Sequence, residues 1–372
     1  MDVYRKILSA VALFLLAMTC PAASALGRDQ IPSLDDMRQQ VKAASVPSPP
    51  WNGPQTGVTA TPGKTIAVIC EDLRNGGILG VAWGVREAAA AIGWQVKVFD
   101  AGGTAAGRAR AGAEAMADSP DGVILNGADA RVMHAQLEPF AERSIPVVGW
   151  HVGPAAGLLP DSPVAINVST DPLEVAGLTA MAAVVAAGGR AGVVIFTDSN
   201  FAIAMAKANK MAEVIRSCPD CTLLEIRDVA ISDSAREMPA VTRELLARYG
   251  DRWTHGLAIN DIYFDYAVPE FILAGDAARH ISFMSAGDGS SAAFLRIQSG
   301  TFQTCTVAEP LNAHGWQLVD ELNRLLHHQP VSGYVTPVHL VTPGNILQDG
   351  GPRLGYDPDN GYREVYRRIW GR

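Results

Sequence analysis

A recurring unit of short apolar strand, polar tip and Ala-rich helix constrains the fold of this chain more than any other feature of its sequence. The unit repeats from Lys64 to about Thr342. Short strands that alternate with longer helices predict parallel βαβ sheets. Because ligands of such sheets gather at the carboxyl ends of the strands, we expect the polar tips to form a site. The residue types at these tips favour binding over catalysis.

Two sets of strands follow from this pattern, with helices between them. The first set of predicted strands is Thr65–Cys70, Gln95–Asp100, Gly122–Asn126, Pro146–Trp150 and Val164–Ser169. The helices predicted among them are Ile78–Ile92, Ala106–Ala117 and Ala130–Glu142. The second set of predicted strands is Gly192–Asp198, Thr222–Ala230, Gly256–Asn260 and Ile281–Gly287. A late strand, helix and strand are predicted at Gln303–Glu309, Leu311–His327 and Val338–Thr342. This late order predicts a chain that crosses between two lobes more than once.

The first 25 residues have the pattern of a secretory signal. Arg5 and Lys6 form a basic start, Ile7–Met18 is apolar, and small residues end the segment at Ala25. The apolar run is shorter than the ~20 residues that a membrane span needs. A lipoprotein anchored through Cys20 is the alternative. We expect a soluble exported protein that is cleaved near Ala25.

The charge balance argues against two classes of partner. The whole chain of 372 residues, a length that suits two domains, carries a formal net charge of −8. Removal of the predicted signal makes the mature chain slightly more acidic. Since the sequence has no cluster of Lys and Arg, neither nucleic acid nor an anionic membrane surface is expected to bind.

The cysteines include one closely spaced pair. Cys218 and Cys221 are separated by Pro-Asp, and such a C-x-x-C pair is redox-active, half of a metal site, or a local disulfide. No second pair exists in the sequence to complete a zinc site. In an oxidising compartment a structural disulfide between Cys218 and Cys221 is the favoured interpretation. Cys70 and Cys305 lie in apolar strands and are expected to be buried thiols.

Eight short segments, in their order and spacing, carry a family resemblance. They are Thr65–Ile69, Leu73–Asn75, Ile92–Trp94, Asp121–Asn126, Ile145–Val148, Ala258–Asp261, Gly287–Gly289 and Thr306–Glu309. Over about residues 64–342 the chain resembles the ribose/galactose-type periplasmic solute-binding proteins of ABC importers. The resemblance implies an α/β fold of two doubly wound parallel-sheet lobes, joined by a three-strand hinge, that close around a ligand. It also implies a periplasmic location, a small-molecule ligand, a membrane permease as partner, and a monomer.

The family layout divides the chain into five parts. The expected parts are a signal peptide (1–25), an N-terminal arm or linker (26–63), lobe one (64–168 plus 310–337), lobe two (169–309 plus 338–342) and a C-terminal tail (343–372). Hinge residues are expected near Ser169, Glu309 and Val338. A sensor branch of the same superfamily, which includes the trimethylamine-oxide-sensing accessory protein, also resembles this chain. The resemblance is carried by Ala101–Gly103 and the tail segment Tyr362–Trp370, and it implies a membrane kinase as the alternative partner.

The resemblance transfers a set of polar ligand contacts. In sugar-binding relatives, carboxylates and amides hydrogen-bond hydroxyl groups, and flat rings cover the apolar face of the sugar. The positions that match are Asn75 after the first strand, Lys207 on a helix, and Asn260, Asp261, Asp288 and Glu309. For each the alternative is structural: a turn for Asn75, a helix N-cap for Asp288, a hinge without ligand contact for Glu309, a solvated helix face for Lys207.

The chain departs from the family pattern in lobe one. Gly76, Gly77 and Ile78 stand where aromatic residues usually follow the Asn, and Trp150–His151 replaces the usual Asp-Arg pair. We therefore expect Trp150 and His151 to contact the ligand, unless Trp150 belongs to the core. A ligand with a flat or less hydroxylated part becomes plausible.

An enzyme is the less favoured interpretation. The sequence has no Gly-x-Ser-x-Gly elbow to present a nucleophile to His151. Arg74–Gly77 matches neither the P-loop nor the dinucleotide-binding pattern. His327 and His328 are adjacent and point to different sides of a helix, which makes them a poor metal pair. We expect no catalytic residue, metal or cofactor.

Overall fold

Two six-stranded sheets form the framework of the protein. The structure, a computed structural model, describes residues 32–350 and 353–372, so the predicted signal peptide lies outside the described residues. The first sheet has the order β2-β1-β3-β4-β6-β5. Its strands are β1 (Thr65–Cys70), β2 (Gln95–Asp100), β3 (Gly122–Asn126), β4 (Val147–Trp150), β5 (Gly157–Leu158) and β6 (Ile166–Val168). All pairs are parallel except β5 with β6.

The second sheet repeats this architecture, with the order β12-β11-β10-β9-β7-β8. Its strands are β7 (Gly192–Thr197), β8 (Thr222–Asp228), β9 (His255–Ala258), β10 (Ser282–Ser285), β11 (Gln303–Val307) and β12 (Leu340–Val341). Only the pair of β11 and β12 is antiparallel. The interior strands β3 and β7 are buried along their whole length, as expected for parallel strands covered on both faces.

Helices connect and cover the strands. They are α1 (Leu34–Ala44), α2 (Gly76–Ala91), α3 (Ala105–Ala117), α4 (His134–Glu142), α5 (Pro172–Ala186), α6 (Ala202–Ser217), α7 (Ser234–Tyr249), α8 (Ile262–Ala274), α9 (Ser291–Ser299), α10 (Leu311–Leu326) and α11 (Tyr362–Ile369). Short 3₁₀ turns occupy Ile231–Asp233, Gly250–Arg252 and Gly275–Ala277. No helix in the described residues combines the length and apolarity needed to cross a bilayer.

The predicted elements agree with the structure apart from their ends. The helix predicted over Ala130–Glu142 begins only at His134. Its first residues form a turn because the Asp129 carboxylate accepts a hydrogen bond from the Arg131 backbone, which competes with helical pairing. The short strand β5 and the C-terminal helix α11 were not among the predicted elements.

The chain passes between the two sheets three times. It leaves the first sheet after β6, returns from β11 to α10, and crosses again to β12. Although α10 follows a strand of the second sheet, it packs on α2 beside the first. The two helices meet at glycines: a Cβ on Gly315 would lie 2.4 Å from the backbone of Gly84. Side chains at this crossing would therefore force the helices apart.

Both ends of the described chain are docked. In the N-terminal arm, α1 packs on α5, and the Trp51 ring lies 5.4 Å from the ring of Tyr366 in α11. In the tail, Trp370 is fully buried and stacks on Trp316 of α10, with ring centroids 5.2 Å apart. The arm and the tail are thus integral parts of the core.

The cysteines are found in two states. Cys218 and Cys221 form a disulfide at the end of α6. Cys70 and Cys305 are buried free thiols. Burial raises the pKa of both thiols to about 12, so they are neutral at physiological pH.

We predict that Trp370→Ala lowers the free energy of unfolding by about 3 to 5 kcal/mol, as for other buried aromatic truncations. The substitution removes the stack on Trp316 and the hydrogen bond from the indole Nε1 to Asp320 Oδ1, 2.8 Å long. Urea unfolding followed by circular dichroism measures the loss.

The matched control is Trp83→Ala, because the Trp83 side chain is 59 % exposed. Its effect should stay within about 0.5 kcal/mol. Equal stabilities for the two variants would show that α11 does not contribute to the cooperative core.

Candidate ligand-binding site

A cavity of about 60 Å³ lies between the two sheets and is lined from both. Because the lining residues follow the carboxyl ends of the strands or start the next helix, they occupy the position expected for a ligand site. The first sheet and its helices contribute Glu71, Asp72, Asn75, Ile78, Gly127, Trp150 and His151. The second sheet and its helices contribute Phe201, Ile203, Ala204, Lys207, Ile231, Ile259, Asn260 and Asp288.

Six of the eight residues predicted from the sequence line this cavity. They are Asn75, Trp150, His151, Lys207, Asn260 and Asp288. Asp261 and Glu309 do not line it, although both are buried close by. The strand-tip argument therefore locates the site but does not give the direction of each side chain.

His151 closes the cavity on the side of the first sheet. Its backbone has φ +52°, a left-handed conformation that a non-glycine residue seldom adopts, and its ring stacks on Trp150 with centroids 3.7 Å apart. The Nε2 atom lies 2.8 Å from Oε1 of Glu309. The imidazole thus bridges the cavity wall and the carboxylate behind it.

Glu309 is a fully buried carboxylate with basic partners. Burial by itself would raise the pKa of Glu309, but the charge and hydrogen bond of His151, together with Lys207, lower it to about 2. The Lys207 ammonium is 3.9 Å from Glu309 Oε1. Glu309 is therefore ionised and holds His151 and Lys207 in place, and it does so from outside the cavity.

Lys207 lies on α6 and is only 3 % exposed, which contradicts the alternative of a solvated helix face. Its Nζ donates a hydrogen bond of 2.8 Å to the carbonyl of Ala286. Gly287 makes this possible, because a Cβ there would lie 2.9 Å from Nζ and its φ of +136° disfavours other residues. The ammonium keeps further N–H groups for a partner in the cavity.

Asn260 and Asp288 form a polar pair from the second sheet. The Asn260 Nδ2 donates a hydrogen bond of 2.5 Å to Asp288 Oδ2, and Asn260 Oδ1 accepts one from the Ile262 backbone. Burial raises the pKa of Asp288 to about 6, although His151 and Lys207 oppose the shift. Burial thus destabilises the ionised form of Asp288 relative to its protonated form.

Asn75 has a structural and a site role together. Its Oδ1 accepts a hydrogen bond of 2.9 Å from the Gly77 backbone and caps α2, a structural role different from the turn that was the alternative for this residue. The same residue lines the cavity. Its Nδ2 group is left to donate elsewhere.

Asp261 requires a correction, because its carboxylate faces away from the cavity. Oδ2 accepts hydrogen bonds from the backbones of Gly289 and Ser290, and Oδ1 accepts one from Gln303. These bonds hold the loop that carries Asp288. Asn260 and Asp261 are adjacent at the start of α8, so their side chains point to different sides.

Sequence reasoning missed two carboxylates at the tip of β1. Glu71 forms a double hydrogen bond with Arg108 of α3, with Nε 2.8 Å from Oε2. Asp72 pairs with Arg74 in the same way. Both acids follow a predicted strand directly, so the strand-tip rule could have found them. Their charges are neutralised by arginines outside the cavity lining.

Sequence reasoning also missed the apolar part of the lining. Phe201, Ile203 and Ala204 surround the start of α6, and Ile231 follows from a 3₁₀ turn. Ala204 lies one helical turn before Lys207, so an apolar and a cationic group share one face of α6. No sequence signal distinguishes such residues from ordinary core positions.

His314 supports the cavity wall from behind. The Trp150 Nε1 donates to His314 Nδ1 over 3.1 Å, and His314 Nε2 lies 2.7 Å from Thr336 Oγ1. Since Nδ1 accepts, the ring proton is on Nε2 and points to Thr336. Burial lowers the pKa of His314 to about 4, which keeps it neutral.

Three buried donor atoms, from His151, Asp288 and Glu309, lie within 4.8 Å of one another, a spacing that a metal ion could bridge. The Lys207 ammonium beside Glu309 opposes a second cation there. His151 and Glu309 also satisfy each other directly. The chemistry of this set therefore suits hydrogen bonding better than metal binding.

Comparisons with known proteins agree with this architecture. Residues 66–330 match the family model described as a periplasmic binding protein domain. No curated protein matches the sequence significantly. The resemblance deduced from the sequence and the predicted fold class are both confirmed.

Three solved structures illustrate the similarity of fold. An ABC transporter solute binding protein from Agrobacterium vitis with bound allitol has a TM-score of 0.64 at 18% identity, covering 77% of this chain and 97% of that one. The 5-methylthioribose transporter solute binding protein from Thermotoga lettingae has a TM-score of 0.67 at 16% identity, covering 86% and 100%. A chain of the XylFII–LytSN complex has a TM-score of 0.64 at 15% identity, covering 76% and 98%.

We predict that Asp288→Asn raises the free energy of unfolding at pH 7 by up to about 3 kcal/mol, because it removes a carboxylate whose ionised form is disfavoured by burial. The pKa of Asp288 is raised from 3.8 to about 6, so the folded protein binds this proton more tightly than the unfolded chain. Stability from this group is present below pH 4 and lost as pH rises through 6. Urea unfolding at pH 4 and pH 7 measures the difference.

Asp276→Asn is the matched control, because the Asp276 side chain is 87 % exposed. It should leave the pH dependence of the unfolding free energy unchanged. If the unfolding free energy of Asp288→Asn depends on pH between 4 and 7 in the same way as that of the parent, Asp288 is not a buried carboxylate with a raised pKa.

Proposed function

We propose that this chain, which belongs to the periplasmic binding protein family, captures a small polar ligand between its two sheets and delivers it to an ABC importer. The matched family and its structural relatives are solute-binding proteins, so the chain is a binding protein and not an enzyme. The observation that carries the proposal is that polar strand-tip groups of both sheets meet at one cavity.

The polar lining suits a ligand with hydroxyl groups. Asn75 and Lys207 offer N–H donors, and the Asp288 carboxylate offers an acceptor. Buried hydroxyl groups need partners of both kinds, because an unpaired polar group costs free energy. A sugar or sugar-like molecule meets this requirement.

The apolar lining suits a second part of the ligand that has fewer hydroxyl groups. Ile78, Phe201, Ile203 and Ile231 form this side, and Trp150 with its stacked His151 adds a flat surface. The relatives solved with allitol and with 5-methylthioribose bind a polyol and a sugar with an apolar substituent. We propose a ligand with a polar end and a flat or apolar end.

The mechanism is hinge closure. The hinge falls near Ser169, Glu309 and Val338, where the chain passes between lobe one and lobe two. A ligand that contacts Asn75 and Lys207 at once binds the closed form more tightly than the open form. It shifts the population toward closure only by that difference in affinity.

The partner of the closed form is a membrane permease in this proposal, with the protein acting as a monomer in the periplasm after cleavage near Ala25. The alternative is a sensor subunit that presents its ligand-bound form to a histidine kinase or a chemoreceptor. The similarity of fold to a chain of the XylFII–LytSN complex supports this second candidate function. Adjacent permease and ATPase genes would support import, and an adjacent kinase gene would support sensing.

Mass spectrometry of small molecules released from the natively purified protein would identify the ligand, and small-angle scattering would test the mechanism. We expect the radius of gyration to fall when the identified ligand is added at saturation to stripped protein. No compaction under saturating ligand would contradict hinge closure.

We predict that Lys207→Met weakens binding of the ligand so identified by a factor of about 10 to 100, the loss typical of a hydrogen bond from a charged group. Isothermal titration calorimetry measures the change. Lys210→Met is the control, because Lys210 lies on the same helix but pairs with exposed Glu213. Equal affinities for the two variants would place the ligand away from α6.

A further inference from the structure

The N-terminal arm and the C-terminal tail each span both lobes, in addition to the three hinge crossings. The arm begins with α1 on α5, beside the second sheet, where Met37 is buried in the core. It continues to residues 56–61, whose backbone carbonyls accept hydrogen bonds from side chains of lobe one. Asn323 donates a hydrogen bond to the Val58 carbonyl, and Trp94 donates one to the Thr61 carbonyl.

The tail makes the same passage. Ile346 and Tyr356 pack with Phe294 and Ile297 of α9, beside the second sheet. From Tyr362 onward the tail packs on α10, beside the first sheet. The crossing of the tail therefore lies between Tyr356 and Tyr362.

The two crossings lie against each other. Ser48 hydrogen-bonds to the Tyr356 hydroxyl. The Trp51 backbone donates a hydrogen bond of 3.0 Å to the Asn360 carbonyl, and the Trp51 ring lies 5.0 Å from the ring of Tyr334. We call residues 45–52 and 356–361 together the belt.

The belt covers the hinge. Ser48 and Trp51 of the belt line one small cavity together with the hinge residues Pro310 and Thr336. The Tyr356 ring stacks on His339, in the third crossing, with centroids 4.4 Å apart. Any rotation at the hinge must therefore move the belt.

The belt is short and stiff. Asn345 anchors its lobe-two end through a hydrogen bond of 3.1 Å to the Ser45 carbonyl. From Ser45 to Trp51 the fully extended chain reaches at most about 22 Å. Pro47, Pro49 and Pro50 fix φ at three of these positions. The arm can thus follow a large hinge rotation only by breaking contacts at Trp51 or Ser45.

We propose that the belt is a built-in restraint on hinge opening, with Trp51 as its anchor on lobe one. The contacts at Trp51 are lost when the lobes separate widely, so the belt raises the free energy of the open form. The protein accordingly samples a narrow range of lobe separations, and exchange of its ligand is slow. The inference rests on the hinge motion of the proposed function, but its test needs no ligand.

The experiment measures the distance between the lobes in the full chain by pulsed electron–electron double resonance between two spin labels. Spin labels are attached through Glu114→Cys on α3 and Glu213→Cys on α6, both exposed. Cys20 lies outside the described residues and is changed to Ser in every sample. The other native cysteines do not compete, since Cys70 and Cys305 are buried and Cys218 is bonded to Cys221.

Two variants loosen the belt in different ways. Trp51→Ala removes the anchor, and the combined change of Pro47, Pro49 and Pro50 to Gly softens the crossing while leaving both anchors. We expect either variant to broaden the distance distribution and add a second maximum. Trp83→Ala, an exposed tryptophan outside the belt, should keep the distribution of the parent.

Circular dichroism shows whether each variant is folded, and the proline variant decides the outcome if Trp51→Ala does not fold. Broadening in either folded variant supports the belt. Distributions that coincide with the parent in the folded variants overturn it. A failure to identify a ligand would bear on the proposed function and would leave this result standing.

Discussion

The buried carboxylate of Glu309 joins the two sheets and the hinge through its basic partners. His151 reaches it from the end of β4, and Lys207 reaches it from α6, which covers the second sheet. An ionised carboxylate removed from water is tolerated only with such partners, since desolvation is costly. The positions of the imidazole and the ammonium are therefore set by Glu309, and with them two walls of the cavity. The geometry of the cavity therefore depends on a charge that lies behind its lining.

The sequence was sufficient to predict the fold, because parallel strands that are buried on both faces leave a strong pattern of apolar runs and polar tips. Because strand tips converge in this fold, it also predicted that Asn75 and Asp288 lie near one another, whereas Lys207, which lies inside α6, was predicted only through the family resemblance. It could not predict that Asp261 turns toward Gln303, because a side-chain direction depends on local hydrogen bonds. The apolar lining around Phe201 was hidden because core and ligand-facing residues have the same composition.

The docking of the arm from residue 33 onward and of the C-terminal tail is a second result that only the structure provides. The tail residue Trp370 stacks on Trp316 of α10, and nothing in the sequence indicates the helix against which it packs. The same holds for Trp51, whose neighbours Tyr334 and Tyr366 are remote in sequence. Long-range packing of this kind follows from the assembled surfaces and leaves no periodic signal in a single segment. The arm, the tail and the hinge segments are consequently packed against one another.

The close contact of Gly315 with Gly84 has a consequence for the cavity between the sheets. Gly315 directly follows His314, which holds the indole of Trp150, and α10 begins just after Glu309. The distance between α10 and α2 therefore determines where His314 and Glu309 lie behind the cavity wall. A methyl group added at Gly315 would push α10 away from α2 and would move His314 with it. The shape of the cavity wall thus depends on a helix crossing that is not part of the cavity lining.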